Sequence, residues 1–308
     1  MVLTFALITP GVLQNGKSIS SSGKMKVNES QIEQIIDRAL AEDLGIGDIT
    51  TASLIHGDQK GIGVITIKRE GILAGVEVAK QVFHRVDPNL KVDILLEDGS
   101  RVKPGDIAAR VKGNVTSILK AERVALNFLQ RLSGIASDTD YYVKAVADLP
   151  VDIMDTRKTT PGLRGLEKYA VRVGGGENHR INLGDGILIK DNHLAILRRQ
   201  GLNMKEILAR ARQSASQQLK VEVEVRTVPE ALEAAEAGAD IIMLDNMSLE
   251  DISKAVESVR RRALIEASGG ISLDNVRAVA ETGVDFISIG ALTHSARALD
   301  IGLELEAK

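Results

Sequence analysis

The chain has neither cysteine nor tryptophan. Without thiols it can build no disulfide framework and no thiolate zinc site, and their absence fits a reducing, cytoplasmic setting. Four Phe and three Tyr among 308 residues leave few platforms on which unpaired bases could stack. A net charge of −3 removes the bulk positive potential that nucleic-acid binders rely on. No apolar run reaches the roughly 18 to 20 residues that span a bilayer. The opening MVLTFALITPGVL lacks a basic start and is broken by Pro10 and Gly11. Residues 1–26, rich in Ser, Gly and Lys after Gln14, are expected to be a flexible extension. Neither nucleic acid nor membrane is an expected partner.

What is present is a globular α/β pattern with 44% apolar residues. In NESQIEQIIDRALAEDLG, Ser30 and Glu33 have capping-box spacing, and Ile32, Ile35, Ile36, Ala39 and Leu40 form one helical face. Alternating segments at Val64–Ile67, Val92–Leu95 and Ile107–Val111, with turn residues between them, predict a small sheet. A helix over Thr116–Leu132 follows. Arg123 and Asn127 share one face of it, which spacing alone reads as solvated. These elements predict a domain of a small sheet with helices over 27–137, and 292–308 is expected to be a helix packing back on it.

From residue 138 to 291 the pattern is strand, loop, helix, repeated. Strands are expected at Val151–Asp155, Ile187–Lys190, Val221–Val225, Ile241–Asp245, Leu264–Ala267 and Phe286–Ile289, with a seventh candidate at Tyr169–Val173. Helices at Lys205–Gln217, Glu230–Ala237, Leu249–Arg261 and Leu273–Glu281 make the strands parallel. In VEVEV the valines face one way and Glu222 and Glu224 the other. Carboxylates on a doubly covered strand belong inside a barrel and need cationic partners. Nearly every strand also ends in a polar or glycine-rich group, as at a (β/α) barrel mouth. The fold class is therefore α/β, a (β/α) barrel with six clear strands and a possible seventh beside the smaller sheet.

The densest chemistry lies in DTRKTTPGLRGLEKYAVRVGGGENHRINLGDGILIKDNH, residues 155–193. Arg157, Lys158, Arg164, Lys168, Arg172, Arg180 and Lys190 are interrupted by glycine rather than by disordering residues. An ordered surface for a multiply charged anion is expected. Arginines bind planar carboxylates bidentately, and Lys190 acts as a point charge or, alternatively, as an aldolase Schiff-base lysine. Asn178 and His179 could equally be hydrogen-bonded loop residues. Ser268-Gly269-Gly270, before a helix opening near Ser272, has the form of a phosphate cradle, and Ser288-Ile289-Gly290-Ala291 repeats it. Glu224 and Asp245 end consecutive strands. They suit Mg²⁺ held partly through water, a developing positive charge, or plain salt bridges. The other histidines lack ligand spacing, so no zinc site is expected.

Several long motifs in collinear order carry a resemblance: AERVALNFLQRLSGIAS, the 155–193 run, VEVEV, IIMLDN, EASGGI and ISIGALTHS. Over about Ser30 to Leu305 the chain resembles the quinolinate phosphoribosyltransferases, the carboxylating nicotinate-nucleotide pyrophosphorylases. The resemblance implies transfer of phosphoribose from phosphoribosyl pyrophosphate to quinolinate, with loss of carbon dioxide and pyrophosphate. It also implies an N-terminal α/β sandwich domain beside an incomplete (β/α) barrel of about seven strands, Mg²⁺, and a dimer in which Arg123 reaches the neighbouring site. The substrate contacts it implies are Thr156, Arg157, Lys158, His179, Arg180 and Lys190. Glu224 and Asp245 fall to ribose and Mg²⁺, and Ser268, Gly269, Gly270, Ile289, Gly290 and Ala291 to phosphate. Lys158, Lys190, Glu224 and Asp245 are the expected catalytic set. A catalytically silent anion-binding relative is the competing class.

Overall fold

The first third of the chain builds an antiparallel sheet under helices. A computed structural model describes residues 29–55, 58–214 and 219–307; the expected extension over 1–26 lies outside them. Helices α1 (Glu29–Leu44) and α2 (Ile49–Leu54) precede strands β1 (Lys60–Ile67) and β2 (Gly71–Ile72). Helix α3 (Val76–Val86), strands β3 (Lys91–Ile94), β4 (Arg101–Val102) and β5 (Ile107–Asn114), and the long α4 (Val115–Ala145) follow. Ile32, Ile36 and Leu40 are buried on α1, as its apolar spacing demands. Ser30 lies inside its first turn, not ahead of it as a cap.

Helix α4 is the spine of the molecule. Asn114 caps it by accepting from Ser117 N at 3.2 Å. It continues well past Leu132, and the boundary expected at 137 falls within it. Ser133, Gly134 and Ser137 are poor helix formers, so the sequence pattern stops early there. Tertiary bonds override propensity: Ala74 N donates to Ser133 Oγ at 2.9 Å and Ile72 N to Ser137 Oγ at 2.8 Å.

Beyond α4 come β6 (Asp152–Met154), α5 (Arg164–Val173), β7 (Ile187–Ile189), α6 (Asp191–Arg199) and α7 (Met204–Ser214). Then β8 (Val221–Val225), α8 (Val228–Glu236), β9 (Ile241–Asp245), α9 (Leu249–Val259) and β10 (Leu264–Ser268) alternate. The chain ends with α10 (Val276–Glu281), β11 (Phe286–Ser288), α11 (Ala291–His294) and β12 (Ile301–Ala307). The six parallel strands run in the order β6-β11-β10-β9-β8-β7. The last repeat thus closes against the first, as in a barrel, and an opening remains between β6 and β7.

Two expectations change here. Tyr169–Val173 is the end of helix α5, not a seventh strand. Its buried residues Leu166, Ala170, Val171 and Val173 follow helical spacing. What occupies the place beside β6 is one parallel bridge between Met154 and Glu177. The C-terminal segment does pack back on the first lobe, but as a strand. In IGLELEA apolar and acidic residues alternate, and β12 pairs antiparallel with β1 from Ile67↔Ile301 to Gly61↔Ala307. The resulting sheet reads β12-β1-β5-β3. Among the described residues no helix is long and apolar enough to cross a membrane.

Candidate active site

The barrel interior is charged. Asp155, Glu167, Lys168 and Glu266 are fully buried, and His179, Arg180, Glu222 and Glu224 nearly so. Charges at such depth persist only when paired or hydrogen-bonded. Lys168 Nζ is in contact with Asp155 Oδ1 and donates to His179 O at 2.9 Å. Asp155 also accepts from Asn178 Nδ2 at 2.6 Å and His179 N at 2.9 Å. Burial raises the Asp155 carboxyl and lowers the Lys168 ammonium, while their mutual contact pulls each back. Lys168 is therefore a beam inside the protein rather than part of the cationic surface its spacing suggested.

That beam joins the two arginine-bearing segments. Thr156 and Arg157 follow β6, and Lys158 N donates to Thr156 Oγ1 at 3.0 Å, a local turn. Arg157 Nε is buried without a hydrogen-bond partner among the described residues. Arg180 is 7% exposed and donates through NH1 to Gly186 O at 3.2 Å. Its pKa is lowered by burial and then by the charge of Arg157. Two guanidiniums that repel each other, one of them with an unused buried donor, suit a planar dianion.

The resemblance makes His179 a substrate contact; its ring is buried and turned toward two carboxylates inside the barrel. Nδ1 accepts from Arg180 N at 2.7 Å. Nε2 lies 3.2 Å from Glu222 Oε2 and 3.4 Å from Glu266 Oε2. These three residues are the tightest group of potential metal donors among the described residues. The Arg180 amide settles their role. An Nδ1 that accepts leaves the ring proton on Nε2, which faces the two carboxylates at ion-pair distance while forming no hydrogen bond of good geometry among the described residues. Burial opposes a charged ring, but Glu266 and then Glu222 raise its pKa to about 10. With Nδ1 occupied, the extra proton resides on a carboxylate; burial and Glu266 push Glu222 up to about 7. His179 thus underpins Arg180 from below.

The remaining expected residues line the strand ends. Lys190 caps α6; its backbone N donates to His193 Nδ1 at 2.9 Å, and its Nζ lies 3.4 Å from Glu224 Oε2. Asp245 pairs with Arg226 Nε at 3.3 Å, and Arg226 also reaches Asp191 at 2.9 Å. Glu224 and Asp245 are each tied to a cation from a neighbouring loop. Arg123 is set apart on α4, 59% exposed, and 4.0 Å from Glu122.

Ser268 and Ser288 hydroxyls meet at 3.0 Å, joining the two glycine loops. Gly269 has φ +91°, and a Cβ there would come within 2.6 Å of the Asn246 side chain. A Cβ on Gly290 would meet Lys158 Cδ at 3.1 Å, so Lys158 lies along the loop of Ile289, Gly290 and Ala291. The helix expected from Ser272 begins only at Val276, because Asn275 Oδ1 accepts from Ser272 N at 2.9 Å and forms a turn first. The first loop thus presents its glycine backbone without a helix terminus directly behind it.

Residues that sequence reasoning passed over are Arg131, Glu167, Glu266 and Arg226. Glu266 carries the one legible signal, a carboxylate in the middle of the apolar strand LIEAS.

The model of the quinolinate phosphoribosyl transferase N-terminal domain matches residues 48–133, and that of the C-terminal domain matches 135–304. A probable nicotinate-nucleotide pyrophosphorylase [carboxylating] of Bacillus subtilis (strain 168) is 42% identical over 279 residues, covering 91% of this chain and 95% of its own. A mitochondrial quinolinate phosphoribosyltransferase [decarboxylating] of Nicotiana glauca is 41% identical over 295 residues, covering 90% and 83%. The crystal structure of NadC from Streptococcus pyogenes superposes with a TM-score of 0.87 at 43% identity, over 92% of this chain and 100% of that one. The chain belongs to the quinolinate phosphoribosyltransferase family.

Proposed function

We infer that the protein joins quinolinate to phosphoribosyl pyrophosphate, releasing carbon dioxide and pyrophosphate and leaving nicotinate mononucleotide, a step of NAD biosynthesis. The observation that carries this reading is the set of cations at the ends of neighbouring elements, Arg157 and Lys158 after β6, buried Arg180 before β7 and Lys190 after it, with Lys158 packed along the Gly290 loop. One substrate is a pyridine dicarboxylate and the other bears a phosphate and a pyrophosphate. Holding both together requires this concentration of cations and backbone donors.

In this reading Arg157 and Arg180 clamp the carboxylates and turn the ring nitrogen toward the anomeric carbon. Lys158 and Lys190 neutralise phosphate and pyrophosphate oxygens. Thr156 shapes the turn that presents them. Ser268, Gly269, Gly270, Ile289, Gly290 and Ala291 take phosphate. Glu224 and Asp245 face the ribose, where positive charge grows as pyrophosphate departs. Their hard oxygen donors also fit Mg²⁺ completed by water and substrate phosphates. When bound, Mg²⁺ would neutralise charge on the leaving pyrophosphate. The pyridine nitrogen becomes cationic on ribosylation, so the adjacent carboxylate can leave as carbon dioxide without a protein nucleophile.

The exposed Arg123 is assigned to the site of a second copy in a homodimer, in the cytoplasm. The deciding assay supplies quinolinate, phosphoribosyl pyrophosphate and Mg²⁺ and follows carbon dioxide and the mononucleotide together; nicotinic acid in place of quinolinate should give no product. Equal amounts of Arg123→Ala and Lys190→Ala protein, exchanged into mixed dimers, should regain about a quarter of normal activity, since half the dimers then hold one intact site. No recovery despite proven exchange would remove the shared site.

A further inference from the structure

Helix α5 carries Glu167 and Lys168 side by side, both fully buried. Consecutive helical residues diverge by about 100°, so the two side chains reach different parts of the barrel mouth. Glu167 accepts from Thr160 N at 2.9 Å, from Thr160 Oγ1 at 2.7 Å and from Arg131 NH2 at 2.8 Å. Arg131, on α4, also donates to Ala296 O at 3.1 Å and contacts Thr293 O. Thr293 in turn donates through its hydroxyl to Lys158 O at 2.7 Å. Glu167 is therefore the centre of a chain of bonds that sets Lys158 against the Gly290 loop. Lys168 serves Asp155 and His179 O instead, at the foot of Arg180. The next residue, Tyr169, fixes the helix to the other lobe by donating to Asp98 Oδ2 at 2.7 Å.

Resting on the phosphoribosyltransferase reading, we propose that Glu167 and Lys168 are positioning residues for the two substrates separately: Glu167, through Arg131 and Thr293, for phosphoribosyl pyrophosphate, and Lys168, through Asp155 and His179, for quinolinate. Neither touches substrate. A buried carboxylate or ammonium is costly to keep, and a simple packing role would be met by Leu or Met. Each instead accepts or donates several bonds, and these converge on one loop of the site. Adjacent positions on one rigid helix also fix the distance between the two half-sites, which a transfer reaction needs to within a fraction of an ångström.

The test measures both KM values, kcat and thermal melting for Glu167→Gln and Lys168→Met. Glu167→Gln should raise the KM for phosphoribosyl pyrophosphate about tenfold or more, with that for quinolinate moving no more than threefold. Lys168→Met should do the reverse. Should either fail to fold, Thr293→Val removes the hydroxyl bonds to Lys158 O and Gly290 O, and Asn178→Ser removes the amide bonds to Asp155 and Lys168 O; both should show the same split more weakly. Parallel changes in both KM values, or none in a folded variant, overturn the proposal. Amide hydrogen exchange gives an activity-free reading. Glu167→Gln should speed exchange over 156–163 and Lys168→Met over 178–186, and uniform acceleration through the barrel would contradict separate positioning. If the unsubstituted protein failed to turn over quinolinate, the functional reading would fall while the exchange pattern still judged the two networks.

Discussion

Both lobes bury apolar residues, but they differ in the polar groups buried beside them. In the first lobe and α4, Ile32, Ile65, Val78, Phe83 and Ile118 are at most 2% exposed, and the buried polar groups among the described residues are the hydroxyls of Thr51, Ser133, Ser137 and Thr139. In the barrel, every charged residue that is buried, among the described residues, lies between Asp155 and Glu266. An apolar core gains roughly 25 cal/mol for each Å² removed from water. A charged interior gains little, because desolvation offsets most of the Coulombic attraction. One apolar core runs through both lobes, and the barrel gives up part of its stability to keep ions in place for chemistry. Its parallel strands still pack on apolar outer faces, such as Val221, Val223 and Val225, so the charge is confined to the interior and the mouth.

The largest effect that would sharpen this contrast is on turnover. Arg180→Ala should lower kcat/KM about 10³-fold, equivalent to about 4 kcal/mol of transition-state stabilisation. Its melting temperature should hold or rise, since the change removes a buried cation that Arg157 repels. Near-normal kinetics, or a collapse in stability, would break the division of labour. Phe83→Ala is the mirror experiment. Phe83 is fully buried among α3 and its neighbours, so truncation should cost about 3–4 kcal/mol in denaturant unfolding. Both KM values should stay within twofold, because α3 belongs to the first lobe and carries none of the residues assigned to substrate.

How far the sequence disclosed this follows the same division. Strands β8 and β9 appear at the expected residues because valine and isoleucine runs on parallel strands are unambiguous in pattern. The glycine loops and the arginine pair were legible because their chemistry is local. What escaped was long-range. The last strand looks helical in isolation, since LELEAK is rich in helix formers, and becomes a strand only when β1 offers an edge. Helix α4 outruns its pattern where Ser133 and Ser137 answer amides about sixty positions away. Lys168 passed for a surface cation because nothing beside it in the sequence announces Asp155, thirteen residues earlier, as its partner. Spacing identifies which groups the site owns, whereas only the fold tells which of them face substrate and which face one another.

The smallest predicted effect comes from the polar interior alone. Glu222 is pushed up to about 7 by burial and then by Glu266, against roughly 4.3 in an unfolded chain. An acid whose folded pKa is raised favours folding while it holds its proton. Between about pH 4.5 and 7 the native state binds a proton that the unfolded state has lost, so stability falls as pH rises through that window. The cluster titrates as one unit, and the whole decline should be on the order of 2–3 kcal/mol. Unfolding measured from pH 5 to 8.5 should show it, and Glu266→Gln should flatten it by removing a repelling carboxylate from Glu222 and an attracting one from His179. A stability that climbs across this range would mean that the interior carries no shared proton, and the barrel would then differ from the first lobe in composition but not in how it responds to its solvent.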